Sequence, residues 1–410
     1  VTPAATLWLA TFAMFAQQAL AAYCKTIVPV IAPVMAAGLA VDPAMTGAWV
    51  AIAATGGIPT TLGAGGLVRR FGALRLSSAA TALMGLGLAL ALPDLGTCGL
   101  ALAAQGLAAF VVGAASTVST PASSHLLARL AAPRQAPLVF SIKQTGVPAG
   151  LALAGALGPV LVAAWGWRGA LAASAVMCLA LAAALEPARG TFDTDRDPRA
   201  RVGLADVRAT VAGVLRDDGL RRLAFTCFVF VGLQITVQSF LVLHLVQALG
   251  YALAEAGFVF GLATLVAIPA RIFWGWLGGR IAAPVLLGWF GAGIFLSCAA
   301  LALLPRGAPV WLAIAAGVLA SATALSWHGV LLAEIARLSP HGQVGAMTGG
   351  VLSFAGLGQV LLPAGFGAMV AAGLPWALAW PLIGLPALAA GLLVGRRGRA
   401  TAGSGRTGPV

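Results

Sequence analysis

Ile58-Pro59-Thr60-Thr61-Leu62-Gly63-Ala64-Gly65-Gly66-Leu67-Val68-Arg69-Arg70 closes one long apolar stretch of this chain. Ile268-Pro269-Ala270-Arg271-Ile272-Phe273-Trp274-Gly275-Trp276-Leu277-Gly278-Gly279-Arg280 closes another, 210 residues later. The Ile-Pro pair, a Gly, a Leu and the final Arg keep the same register in both. A second set behaves alike: Ser141, Gly146 and Gly155 recur 212 residues on as Ser353, Gly358 and Gly367. Two matched sets at nearly one offset describe a chain built from two related halves.

Each half is a series of apolar segments. Of the 410 residues, 60% are hydrophobic and 9% charged, and the apolar runs repeatedly exceed what a water-soluble core needs. A helix crosses ~30 Å of hydrocarbon with ~20 residues. Runs of this length, rich in Ala, Leu and Gly and without strict alternation, read as helices rather than barrel strands. Breaks at Gly, Pro and charged residues give twelve expected spans: 6–34, 46–68, 76–93, 98–127, 138–163, 168–186, 222–248, 254–277, 284–304, 309–333, 345–372 and 375–395. The fold class is therefore an all-α membrane protein with twelve transmembrane helices in two pseudo-symmetric six-helix bundles. The bundles are 1–186 and 222–395. A cytoplasmic central loop, 187–221, joins them, and a cytoplasmic tail, 396–410, follows. Within that loop Leu204, Val207, Val211, Val214 and Leu215 keep helical spacing, so a short surface helix is expected there. The first run lacks a basic leader and continues for about thirty residues, which fits a true first span rather than a cleaved signal.

The net charge of +13 invites a nucleic-acid reading, but the arginines alternate with the spans and form no basic face, so no nucleic-acid partner is expected. Arg69, Arg70, Arg75, Arg129, Arg134, the central-loop set, Arg280, Arg337, Arg396, Arg397, Arg399 and Arg406 fall on one side, and only Arg168 and Arg306 on the other. The positive-inside rule then places both termini in the cytoplasm, with a bacterial inner (plasma) membrane as the expected location. Cys24, Cys98, Cys178, Cys227 and Cys298 are scattered through apolar segments and read as small core residues.

Gly65-Gly66-Leu67-Val68-Arg69-Arg70-Phe71-Gly72 resembles the loop 2–3 signature of the major facilitator superfamily, G-x-L-x-D-R-x-G, and Gly275-Trp276-Leu277-Gly278-Gly279-Arg280 resembles its second-half copy. The resemblance covers essentially the whole chain and implies the major facilitator fold and alternating access. It also marks Gly65, Arg69, Arg70, Gly72, Gly275 and Arg280 as conformational loop residues. The signature's acidic position is Arg69 in one copy and Gly279 in the other, so the latch that acid supplies in the family is weaker or differently built here. Gly146, Gly155 and Gly158-Pro159 in span 5, which also carries Gly150, partly resemble the glycine-proline signature of proton-coupled drug antiporters. The same glycines serve close helix packing, which is the preferred reading.

The candidate site rests on cations inside spans. Only two lysines occur, Lys25 and Lys143, and both lie in apolar segments. An ammonium group in hydrocarbon costs at least ~2.5–3.5 kcal/mol, so such residues usually face a bundle interior or a wet cavity. Lys25 lies about ten residues from the outer end of span 1, roughly 15 Å deep at the helical rise, too deep to snorkel comfortably. Lys143 is only about five residues into span 5, so it either reaches the cytoplasmic headgroups or serves the cavity. Arg271 breaks the repeat, since its span 2 counterpart is Thr61; it either faces the cavity or touches the adjacent loop. A guanidinium holds a carboxylate bidentately. The pairing of a span 1 lysine with a span 8 arginine resembles the monocarboxylate and oxalate branches of the superfamily. There an aspartate precedes the arginine by four residues, where this chain has Ala267. Of the acids, only Glu255 and Glu334 approach a span, each at an end.

These residues point to a secondary active or facilitative transporter of a small organic anion, a carboxylate, bound between Lys25 and Arg271. Lys143 contributes from the cytoplasmic half, and Gln18, Gln234, Gln238 and His328 are further polar contacts. The expected partners are the lipid bilayer, the anion and, through lysine or histidine, a co-transported proton; the chain is expected to work as a monomer, without cofactor or metal. A proton-coupled exporter of hydrophobic compounds is the alternative. A non-transporting membrane sensor or enzyme is more remote, because no paired intramembrane carboxylates, metal-spaced His/Cys cluster or phosphate loop is present.

Overall fold

In lipid the backbone has no partner but itself, which leaves helices as the economical solution for runs like these. The structure, a computed structural model, describes residues 3–93, 98–131, 139, 142–199, 205–278, 280–339 and 344–404, and among these the regular elements are all helical. The longer ones are α1 (Pro3–Leu39), α2 (Thr46–Phe71), α3 (Ala73–Leu90), α4 (Cys98–Ser116), α5 (Ser119–Leu130), α6 (Gly146–Leu185), α7 (Ala205–Arg216), α8 (Asp218–Gln247), α9 (Leu253–Leu265), α10 (Ala267–Gly278), α11 (Ala283–Ala302), α12 (Val310–Ala324), α13 (His328–Leu338), α14 (Val344–Ala371) and α15 (Trp376–Ser404). Ten stretches among the described residues are long and apolar enough to cross a membrane. One of them, Ile142–Phe192, includes Gly166 at φ 68°, where α6 turns sharply. With the 26-residue α2 beside them, the arrangement is consistent with twelve spans.

The chain divides into two units, Val1–Leu204 and Ala205–Val410. Each has its own core, and the two cores are built alike. In the first, α1 packs on α6, α2 on α4, and α3 on α4 and α6; in the second, α8 packs on α14, α9 on α12, and α11 on α12 and α15. The glycines at the repeat offset occupy matching contacts. A Cβ on Gly146 would lie 2.9 Å from the Phe15 carbonyl oxygen of α1, and one on Gly358 would overlap the carbonyl oxygen of Phe228 in α8. Backbone approach this close excludes any side chain, so these positions weld α1 to α6 and α8 to α14. The part of the loop with helical spacing forms α7, which buries Val214 and packs on α14.

Three expected spans are interrupted. Span 98–127 breaks between α4 and α5 at Thr117–Val118, span 254–277 between α9 and α10 at Val266, and span 309–333 between α12 and α13 at Leu325–Trp327. No Pro or Gly lies in these breaks. Hydroxyl groups take over the carbonyls instead: Ser116 Oγ donates to Gly113 O at 3.0 Å, Thr117 Oγ1 to Ala114 O at 2.9 Å, and Ser326 Oγ to Ser321 O at 3.2 Å. Such back-bonding competes with the helical ladder and bends it. The first and third breaks again stand about one repeat apart.

Candidate functional site

In the first unit the polar groups gather where α1, α5 and the start of α6 meet. Gln18 of α1 is 6% exposed and accepts a hydrogen bond from Thr120 Oγ1 of α5 at 3.3 Å. Its Cβ lies 3.2 Å from where a Gly146 Cβ would stand, so the glycine admits α6 to this corner. One turn before Gly146, Lys143 is 1% exposed, and its Nζ is 3.3 Å from Gln144 Oε1. The short distance from Lys143 to the end of its segment left headgroup contact open; the structure encloses the side chain instead. Lys25, two turns beyond Gln18 on α1, is half-buried and makes no hydrogen bond or ion pair among the described residues. Neighbouring Gln17 was not singled out in the sequence. It is fully buried with neither side-chain polar atom paired, and the Gln17-Gln18 tandem in an apolar run was the available signal.

In the second unit the interrupted helix α12–α13 organises the site. Its break frees the Leu325 carbonyl, and Arg271 Nε of α10 donates to it at 3.0 Å. Arg271 thus contacts neither Glu255 nor Glu334, and its two Nη groups make no bond among the described residues. Trp274 Nε1 donates to Ala322 O at 2.8 Å just above, and Trp327 Nε1 to Ala324 O at 2.9 Å. His328, the first residue of α13, stacks on Trp327 with ring centroids 3.9 Å apart and leaves its Nδ1 buried and unpaired. On α8, Gln234 is buried with Oε1 unpaired, and Gln238 is half-buried one turn later. The two acids near span ends, buried Glu334 and exposed Glu255, are engaged elsewhere. Glu334 takes a bidentate pair from Arg337 at 2.8 and 2.5 Å, and Glu255 caps the first turn of α9 through Ala252 N at 3.2 Å. Among the described residues, none of Lys25, Lys143 and Arg271 is paired with a carboxylate.

The loop signature is also legible in space. Arg69 and Arg70 are exposed, and Gly72 takes φ 90°, a left-handed conformation suited to glycine. Asp193, from the central loop, lies against the bare face of Gly72 and accepts from Leu74 N at 2.8 Å and Arg75 N at 2.7 Å. A carboxylate therefore caps α3 although position 69 of the signature is arginine, and it arrives from 119 residues downstream. Two residues on, Asp195 binds His125 Nε2 at 2.6 Å and pairs with Arg129, while Asp197 N donates to Arg69 O at 2.8 Å. Partial burial pushes the Asp195 carboxyl up, but the hydrogen bonds from His125 and Arg129 outweigh it and hold it below its ordinary value. In the second copy, Arg280 lies over the Trp276 ring at 3.8 Å, and a Cβ on Gly275 would meet nothing within 4 Å. Gly65 is helical and Gly279 lies outside the described residues, as does Ser141. A Cβ on Gly150 would overlap the Ala19 carbonyl, one on Gly158 would lie 3.1 Å from side-chain carbons of Ile27 and Val30 of α1, and Gly155 and Pro159 are buried.

A family model described as Major Facilitator Superfamily matches residues 7–331. The chain belongs to the Major Facilitator Superfamily. Solved structures of the same fold include a D-xylose-proton symporter (16% identity, 94% of this chain and 96% of that one, TM-score 0.71). A bacterial homolog of the human lysosomal transporter Spinster matches at 15% identity over 99% of each chain, with a TM-score of 0.71. A peptide transporter, POT, solved in complex with sulfate, matches at 17% identity over 96% and 95%, with a TM-score of 0.73. No curated protein matches the chain. It is an integral membrane transporter of a small molecule, not an enzyme.

Proposed function

We propose that this transporter carries a small organic anion, a carboxylate, by alternating access, and that Lys25, Lys143 and Arg271 attract and hold it. The supporting observation is that three cationic side chains stand inside apolar helices with no carboxylate beside them among the described residues. Taking a cation out of water carries a desolvation cost that a structural role would relieve with a paired acid, as Glu334 and Arg337 show. Leaving the cations unpaired makes sense when the missing counter-charge is the cargo. Gln18, Gln234, Gln238 and His328 add neutral donors and acceptors, and the unpaired His328 Nδ1 and Gln234 Oε1 are open to such use. Arg271 serves with its Nη edge, because its Nε is committed to Leu325. Both termini are proposed to face the cytoplasm of a bacterial cell.

Binding tests this directly. The purified transporter in nanodiscs is expected to gain thermal stability with a carboxylate and not with its neutral amide, since anything bound to the folded state alone stabilises it. Lys25→Ala and Arg271→Ala are expected to lose the carboxylate effect. An equal response to acid and amide would refute the anionic substrate.

A further inference from the structure

A cavity of about 100 Å³ lies in the first unit at its loop 1–2 end, between α1, α2 and α4, lined by residues including Val28, Met35, Trp49, Ile52, Gln105 and Gly106. Its origin is the divergence of α2 from α4. Deeper in the unit these helices touch through their backbones: a Cβ on Gly113 would overlap the Ala53 carbonyl, and one on Gly56 the Phe110 carbonyl. Two turns away, a Cβ on Gly106 would find only Ile52 Cδ1, at 3.7 Å. The walls are mostly apolar, and Ile52 among them is exposed.

Asp42, Thr46, Trp49 and Gln105 are the polar residues of that lining, and Asp42 and Thr46 are engaged locally, Asp42 accepting from Ala44 N at 2.7 Å and Thr46 donating to Pro43 O at 2.7 Å. The indole Nε1 of Trp49 and the amide Oε1 of Gln105 are buried with no hydrogen-bond partner, and each residue is only 7% exposed. Gln105 has its Nε2 committed to Ala91 O at 3.1 Å, which fixes the amide and leaves Oε1 as the free acceptor. One unpaired donor and one unpaired acceptor in one apolar pocket are costly groups to strand. A hydroxyl that reaches both atoms would satisfy them together, accepting from the indole and donating to the amide oxygen. A dry cavity of ~150 Å³ is enough to hold benzene, so a ring held partly within this one, its remainder passing the rim, is of suitable size.

We propose that this pocket binds a small membrane-partitioned alcohol or phenol, with its hydroxyl between Trp49 and Gln105 and its apolar body toward the bilayer. The site lies wholly within the first unit and does not rest on the anion reading. The test uses the full-length transporter in phosphatidylcholine nanodiscs, photolabelled with a diazirine derivative of 4-propylphenol and mapped by peptide mass spectrometry. Saturable labelling is expected in peptides covering 28–52 and 102–106. At equal membrane concentration, 4-propylphenol should compete roughly tenfold better than propylbenzene, the scale of one or two neutral hydrogen bonds. Trp49→Phe and Gln105→Leu should each shrink that preference, and Gly106→Leu, which has room for its side chain, should abolish saturable labelling. Unsaturable labelling, as when a water occupies the two polar atoms, would overturn the proposal. So would equal competition by the two compounds in the unmodified transporter, a comparison that needs no variant to fold.

Discussion

Replacing Lys143 by methionine separates a functional buried lysine from a structural one, because the two roles demand opposite changes in stability. Lys143 is 1% exposed, and the single hydrogen bond its ammonium makes among the described residues is the 3.3 Å contact with Gln144. Placing a lysine inside a membrane helix costs ~2.5–3.5 kcal/mol. Losing the Gln144 bond costs ~0.5–1.5 kcal/mol. Methionine keeps the length of the side chain and fills the same volume, so the balance favours Lys143→Met by about 1–3 kcal/mol. For a unit of this size that corresponds to a rise of roughly 2–12 °C in Tm. The assay is a melting curve of the purified variant in nanodiscs beside its uptake of a carboxylate in proteoliposomes. A more stable protein with at least tenfold slower uptake is expected. A lower Tm would show that the ammonium holds the fold together, and unchanged uptake would show that the cargo never needs it.

Three further outcomes are expected. Arg271→Lys keeps a cation but cannot both bond the Leu325 carbonyl and present a planar fork; a carboxylate KM about 10–100-fold higher and a Tm lowered by a stranded carbonyl are expected, measured by uptake and melting. Gly358→Ala drives a methyl group into the Phe228 backbone and should cost about 1–3 kcal/mol, whereas Gly275→Ala has open space and should leave Tm unchanged; equal melting of the two variants would refute the packing argument. The Asp195 carboxyl, held below its unfolded value by His125 and Arg129, adds stability above the ordinary carboxylate range that is lost as pH falls through its lowered value. The unmodified protein should therefore lose Tm on acidification below about pH 4, and Asp195→Asn should lose less over that window.

The repeat, the helical class and the positions of the spans were legible because hydropathy and Gly-Pro breaks report them directly. Lys143 shows where such reading stops. Counting residues from the end of a segment measures depth along the helix but not which way the side chain faces. Here Gly146 and Gly150 bring α6 against the backbone of α1, and the lysine that precedes them is buried. Lys25, deeper by count, is the more exposed of the two. The interruptions at Thr117–Val118 and Leu325–Trp327 were illegible for another reason: they carry ordinary Ser, Thr and Leu, and only the competing hydroxyl bonds and the Arg271 contact reveal them. Asp193 is the clearest long-range case. The signature around Arg69 lacks its acid, and no local pattern tells that a loop aspartate more than a hundred residues away caps α3 in its vicinity. The opposed thiols of Cys24 and Cys178, 3.2 Å apart, were equally out of reach of spacing rules.

Uptake by proteoliposomes of a carboxylate and its uncharged amide, compared in the unmodified transporter, Lys25→Ala and Arg271→Ala, tests the anion reading most directly. The unmodified protein should accumulate the acid and not the amide, and either substitution should reduce acid uptake by at least tenfold. Equal accumulation of acid and amide, or carboxylate uptake untouched by both substitutions, would contradict it.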